Sequence, residues 1–274
     1  MNIHKSDYRR LVGMITLCGA IFSVSTSLRA DSIYTINDTT ADAFLAAGPP
    51  GGTSLSSLNF GSAGTLAISP AGSAKGEQDS IIEFNTAAAV SQFNTTYGAG
   101  NWQLTGVTLS LASNFGTQGA APPNGLFGAI NGGSFGIDWL ADNTWVEGSG
   151  GGMGGTGFPN NSSVSFNSIS TLFAGGSASL GTFLYTPPGN NIYENYALPL
   201  NGSLASGVAA GGGVSLYLFA ADNQISYLFN SKEFGSNHPE LTITATAVPE
   251  PGTLTLATSA LACLLISRRL KRRP

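Results

Sequence analysis

Short apolar runs recur through the middle of the chain between clusters of Gly, Asn, Ser and Pro, and several alternate with period two. Val107, Leu109 and Leu111 share one face of GVTLSLA, and Leu241 and Ile243 share one face of LTITATA. Such runs predict strands over Ser32–Ile36, Thr65–Ser69, Ser80–Phe84, Gly106–Ala112, Gly125–Ile130, Ser134–Leu140, Val164–Phe166, Leu180–Tyr185, Tyr193–Leu200, Val214–Ala220, Ile225–Phe229 and Leu241–Ala247. Helical spacing is confined to Thr86–Tyr97, where Val90, Phe93 and Tyr97 recur on one side, and to single turns near Ile169–Phe173 and Leu204–Val208. The pattern predicts an all-β fold: a single jelly-roll-like β-sandwich over residues 31–247 with one or two short helices. The Gly-rich stretch Gly148–Gly157 reads as a long loop within that domain, because neither side of it holds enough strands to close a sandwich.

The two ends follow other rules. Lys5, Arg9 and Arg10 precede the apolar run Leu11–Ser27, which ends near the small residue Ala30, so residues 1–30 read as a secretory signal peptide. Residues 248–274 hold Pro249, Glu250 and Pro251, an apolar stretch from Thr253 to Ile266, and the basic cluster Arg268, Arg269, Lys271, Arg272 and Arg273. That stretch is short for a membrane span, and the basic end would act as a cytoplasmic stop-transfer signal. Triplet, apolar helix and basic end, in that order, resemble the PEP-CTERM sorting signal of Gram-negative bacteria. The resemblance implies recognition and removal of the tail by exosortase, a membrane protease. The chain would then be held transiently in the inner membrane and released to the cell surface or an extracellular polysaccharide matrix.

Charge changes the picture of the domain itself. Between Asp31 and Val248 only Lys75 and Lys232 are basic, against thirteen acids, a net of -11, and there is no Arg. A surface of that sign repels nucleic acid and anionic lipid, so no nucleic-acid partner is expected, and the membrane is met only through the uncleaved C-terminal helix. Removal of both ends also removes Cys18 and Cys263, leaving a domain without a thiol that must rely on its core.

Four further segments carry a second resemblance. Ser80–Phe84, Gly106–Leu111, the segment with Trp139, Trp145, Val146 and Glu147, and the closing segment with Phe229, Ser231, Lys232, Glu233, Pro239 and Leu241 are similar to the DNRLRE, or disaggregatase-related, β-sandwich modules of surface proteins. Some relatives of those modules are carbohydrate-binding, which the resemblance extends to this chain as an expectation.

Catalytic chemistry has little to work with. His238 is the one histidine outside the signal segment, which, with no cysteine left in the domain, excludes Cys/His nucleophilic sites and zinc sites of the His and Cys type and leaves His238 as the one possible histidine of a triad. No G-x-S-x-G elbow occurs on a strand-to-helix turn, and no Walker loop is present. Paired carboxylates for glycoside cleavage could come from Glu77, Asp79 and Glu83 or from Asp138, Asp142 and Glu147. Asp138, Asp142 and Glu147 are also the candidate calcium ligands, and no other cofactor is expected. Sugar rings stack on exposed indoles, which makes Trp145, Trp139 and Trp102 the candidate ligand-binding residues. Thr242, Thr244 and Thr246 form one row on a strand face of the kind seen on ice-binding surfaces. The expected function is therefore non-enzymatic, structural or glycan-binding, with a polysaccharide-active enzyme as the alternative and an ice-binding protein third.

Overall fold

The computed structural model describes residues 30–114, 131–151, 158–161 and 163–248. Asp31–Ala247 form one compact unit. Its described residues form eleven strands and three short helices: β1 (Ser32–Ile36), β2 (Ala41–Ala46), β3 (Thr65–Ile68), β4 (Gln78–Asn85), α1 (Ala87–Tyr97), β5 (Trp102–Ala112), β6 (Gly133–Leu140), α2 (Ile169–Ala174), β7 (Ser177–Tyr185), β8 (Tyr193–Leu198), α3 (Gly202–Ala209), β9 (Gly213–Ala220), β10 (Tyr227–Asn230) and β11 (Glu240–Ala247).

The strands pair antiparallel in two main sheets, a four-stranded sheet ordered β1-β11-β5-β8 and a five-stranded sheet ordered β2-β4-β9-β6-β7. The ribbon β10-β3 joins the β5 end of the smaller sheet through the Ser113↔Phe229 bridge. Alternation explains the layering. Val107, Leu109 and Leu111 of β5 and Leu241, Ile243 and Ala245 of β11 turn one face of the smaller sheet inward. Ile82 and Phe84 of β4, Phe135 and Ile137 of β6, and Val214, Leu216 and Leu218 of β9 meet them from the larger sheet. Each such side chain, taken fully out of water, contributes about 1.5–3 kcal/mol. Helix α1 closes one end of this core with Ala89, Phe93 and Tyr97, and the Tyr97 hydroxyl donates to the Ala245 carbonyl at 3.1 Å. The architecture is an antiparallel β-sandwich.

The outer face of the larger sheet is covered as well. Ala43, Leu45, Ile81, Leu140 and Tyr217 pack there against Val164 and Leu172, with Trp145, Phe166, Ile169 and Phe173 around them. Strand β2 is therefore buried on both sides, Ala43 and Leu45 on this face and Phe44 and Ala46 on the other, where Phe44 stacks on Phe60 at 4.2 Å.

Several sequence expectations change on this frame. Strand β2 was not foreseen, because ADAFLA has no polar alternation once both faces are covered. Val164–Phe166 is not a strand. Val164 makes one backbone bond to Val146, and the chain then turns into a 3-10 segment at Phe166–Ser168, closed by reciprocal Ser165 and Ser168 bonds. Three helices stand in place of one or two, and α3 runs to eight residues because the Asn201 side chain caps it, accepting from the Leu204 N–H at 2.8 Å. Gly125–Ile130, the signal segment and the tail lie outside the described residues. Among the described residues no helix is long and apolar enough to cross a membrane.

Candidate functional site

Chemistry-bearing side chains converge where β2, the loop after β6 and the loop after β10 meet. Asp42 lies in β2 on the same side as Phe44, and only 1% of it is exposed. Its Oδ2 accepts from the Thr39 hydroxyl at 2.8 Å and from the Lys232 backbone N–H at 2.9 Å. The Asp42 backbone N–H donates to Glu147 Oε1 at 2.9 Å, and Lys232 Nζ donates to Glu147 Oε2 at 2.5 Å and to the Thr40 carbonyl at 3.2 Å. Glu233 stands 3.9 Å from the same ammonium.

The loop that carries Glu147 is held from below. Asn59, wholly buried, donates to the carbonyls of Glu147 at 2.6 Å and Val164 at 2.7 Å, while its Oδ1 accepts from Gly150 at 2.8 Å. A Cβ at Gly61 would overlap the Glu147 carbonyl, and one at Gly150 the Asn59 carbonyl, so these two glycines permit the close approach. The start of the Gly-rich segment thus works as a packed clip. On the other side the Ser231 hydroxyl donates to the Ala63 carbonyl at 2.6 Å and fixes the turn that presents Lys232 and Glu233.

The electrostatics of the cluster are strained. Burial, and then the neighbouring Glu233 charge, push Asp42 well above the ordinary carboxylate range. Glu233 is raised by burial and by Glu147, against the lowering effect of Lys232. Lys232 itself is raised, its burial outweighed by its bond to Glu147 and by the surrounding acids.

The sequence candidates are distributed differently from their grouping along the chain. Of Asp138, Asp142 and Glu147, only Glu147 enters an acidic group: the three acids that come within 4.8 Å of one another are Asp42, Glu147 and Glu233. Asp142 Oδ1 accepts from the Thr144 N–H and hydroxyl, both at 2.8 Å, and its charge raises Glu83 after burial does. Asp138 is half-buried in β6 and raised by burial, with Ser179 as its hydrogen-bond partner. Asp79 is 2% exposed and accepts the Tyr217 hydroxyl at 2.5 Å; burial lifts it to about 7, with the Tyr217 bond opposing and Glu77 adding to the rise.

All three indoles are half-buried. Trp102 donates to Asn94 at 2.8 Å and lies 5.2 Å from the Phe93 ring. Trp139 packs on the inter-sheet core with its N–H buried and unpartnered. Trp145 packs on the outer-face cluster and donates to Ser215 at 3.0 Å, and Ser215 donates on to Asn143 at 2.8 Å. Thr242 lies on the outer side of the smaller sheet, with its hydroxyl 3.0 Å from that of Thr35, and stands opposite Thr108 in the register of β11 with β5. His238 sits in the loop before β11 with Nε2 2.6 Å from the Phe234 carbonyl and Nδ1 3.4 Å from Asp38. Pro249, Glu250, Pro251 and the basic cluster Arg268–Arg273 fall outside the described residues.

Sequence reasoning missed Asp42 altogether, saw Glu233 only as part of a resemblance, and met Lys232 there and as one of the domain's two cations. A signal was present: one of two cations in a domain of net charge -11 is bound to be paired. Fold and cluster define an antiparallel β-sandwich with an acidic, lysine-centred junction. No protein-family model and no curated protein matches the chain.

Proposed function

We propose that this is a non-enzymatic, exported sandwich of jelly-roll type, delivered to the cell surface or extracellular matrix through its PEP-CTERM-like tail, where it acts as a structural or glycan-associated module. The observation that carries the reading is the closure of the domain before either terminal segment begins. First and last strands pair with each other, from Ser32↔Ala245 to Ile36↔Leu241, inside the unit Asp31–Ala247. A domain closed in this way stays whole when signal and tail are removed. The strand orders β1-β11-β5-β8 and β4-β9-β6-β7 support the jelly roll, with β2 added as an outer strand beside β4.

Two further features support a module without catalysis. Two of the acids that would serve glycoside cleavage are held in fold contacts: Asp79 is buried under Tyr217, and Glu147 carries Lys232. The Trp145–Glu147 and Ser231–Glu233 segments, which carry the resemblance to DNRLRE modules, meet in that same ion pair. Trp145, anchored by its N–H but with part of its ring in solvent, is the side chain a sugar ring would meet.

The test of sorting is substitution of Pro249, Glu250 and Pro251 together by Ala in the producing cell. The variant is expected to accumulate as an uncleaved, membrane-retained form. Normal processing and release of that triple variant would refute the sorting part of the reading.

A further inference from the structure

Asp42, Glu147 and Glu233 bring carboxylate oxygens within 4.8 Å of one another from three separate parts of the chain. Counting Lys232, the junction holds three carboxyls and one ammonium, a formal net of -2 with every group ionised. The ammonium is already committed to Glu147 and the Thr40 carbonyl. What is left over is specific. With Asp42 Oδ2 occupied by Thr39 and the Lys232 N–H, Asp42 Oδ1 is buried with no hydrogen-bond partner, in a side chain only 1% exposed. Glu233 Oε2 is likewise buried and unpartnered. Buried charged oxygens without a donor are expensive, and proteins meet that cost with a cation, a proton or a hydrogen bond.

We propose that this junction is a calcium site, in which Asp42 Oδ1, Glu233 Oε2 and Glu147 supply the anionic ligands and a single divalent ion cancels the residual charge. The donors are all hard oxygens, and the Thr40 carbonyl stands at the same place. They come from a strand and two loops with no octahedral regularity required of them, which suits Ca²⁺ and its flexible shell of six to eight oxygens better than Mg²⁺. Bound there, the ion would tie β2 to the loops after β6 and β10, the role a disulfide plays in other exported domains. The assignment is independent of the tail and of any glycan.

The measurement is equilibrium dialysis of the full chain against radioactive calcium, with thermal unfolding followed in parallel in calcium and in EGTA. Wild type is expected to take up one ion per chain, with a dissociation constant in the range of about 10⁻⁴–10⁻³ M common to extracellular modules. Its unfolding midpoint should rise with calcium and return in EGTA. Glu233→Gln should weaken binding at least tenfold while circular dichroism stays native, and Asp42→Asn should do the same where it folds; Glu233→Gln decides the matter where it does not. Asp142→Asn should bind as wild type. Absence of saturable uptake, uptake unchanged in Glu233→Gln, or uptake lost in Asp142→Asn would each overturn the site. In an Asp79→Asn background, which removes the pH dependence of that buried acid, an unfolding midpoint that rises on mild acidification and ignores calcium would show that Asp42 and Glu233 share a proton instead, and would overturn it as well.

Discussion

Asp79 offers the most direct test of how the buried acids set stability. Its carboxyl lies beneath the outer face of the larger sheet, 2% exposed, with the Tyr217 hydroxyl on Oδ2 and nothing on Oδ1. Burial raises it from the ordinary 3.8 to about 7. A carboxyl raised in the folded state is neutral there while the unfolded chain still ionises, so folding is opposed increasingly as pH climbs from about 4 to 7 and by a constant amount above that. At about 1.36 kcal/mol per pH unit, the gap is worth about 4 kcal/mol at pH 8 and well under 1 at pH 4. Asp79→Asn keeps an acceptor for Tyr217 and cannot ionise. Its amide leaves a donor where Oδ1 was unpaired, a pH-independent offset of about 1–3 kcal/mol. That offset cancels when the two proteins are compared across pH. Urea unfolding at a series of pH values should therefore show wild type losing about 3–4 kcal/mol relative to Asp79→Asn between pH 4 and pH 8. Asp42 and Glu233, also raised, tilt both curves in the same sense and drop out of the difference. Curves that run parallel within about 1 kcal/mol would refute the assignment of Asp79 as a buried, mostly neutral acid.

Other outcomes follow from named contacts. Trp145→Ala should cost about 2–3 kcal/mol in urea unfolding, at or below the low end for Trp truncation because the ring is only half-buried, whereas Trp145→Phe should lose little more than the Ser215 bond, about 1 kcal/mol; equal losses would show that the indole ring does not pack. If Trp145 also meets glycan, its fluorescence should shift on adding polysaccharide from the producing cell, and no shift with any such polymer would leave the structural role alone. Lys232→Met in EGTA should destabilise by about 2 kcal/mol, less than a fully buried pair because both side chains keep about a fifth of their exposure, and a neutral result would mean the pair is solvated. With Cys18 and Cys263 confined to the terminal segments, the unfolding midpoint of the released protein should not respond to dithiothreitol; a clear shift would place one of those thiols in the mature form.

Sequence alone determined the strands whose two faces differ. Val107, Leu109 and Leu111, or Leu241 and Ile243, alternate because one side of the smaller sheet meets the core and the other meets water, and period two records that difference locally. Helix α1 was legible for the same reason, with Phe93 and Tyr97 one turn apart on its buried side. Strand β2 was invisible because both of its faces are buried, which erases alternation and leaves ADAFLA without a period. Val164–Phe166 carried the strand signal of a short apolar run, yet its apolar side chains cover a sheet from outside rather than join one. Tertiary structure alone decided the acidic junction. Asp42 and Glu233 are 191 positions apart with Glu147 between them, and proximity over such separations is set by which strands pair and how Asn59, Gly61 and Gly150 seat the loop, not by spacing along the chain. Grouping Asp138, Asp142 and Glu147 by nearness in sequence failed because the chain leaves β6 after Leu140 and crosses the outer face, so that Asp142 stays beside Glu83 while Glu147 is carried on to β2.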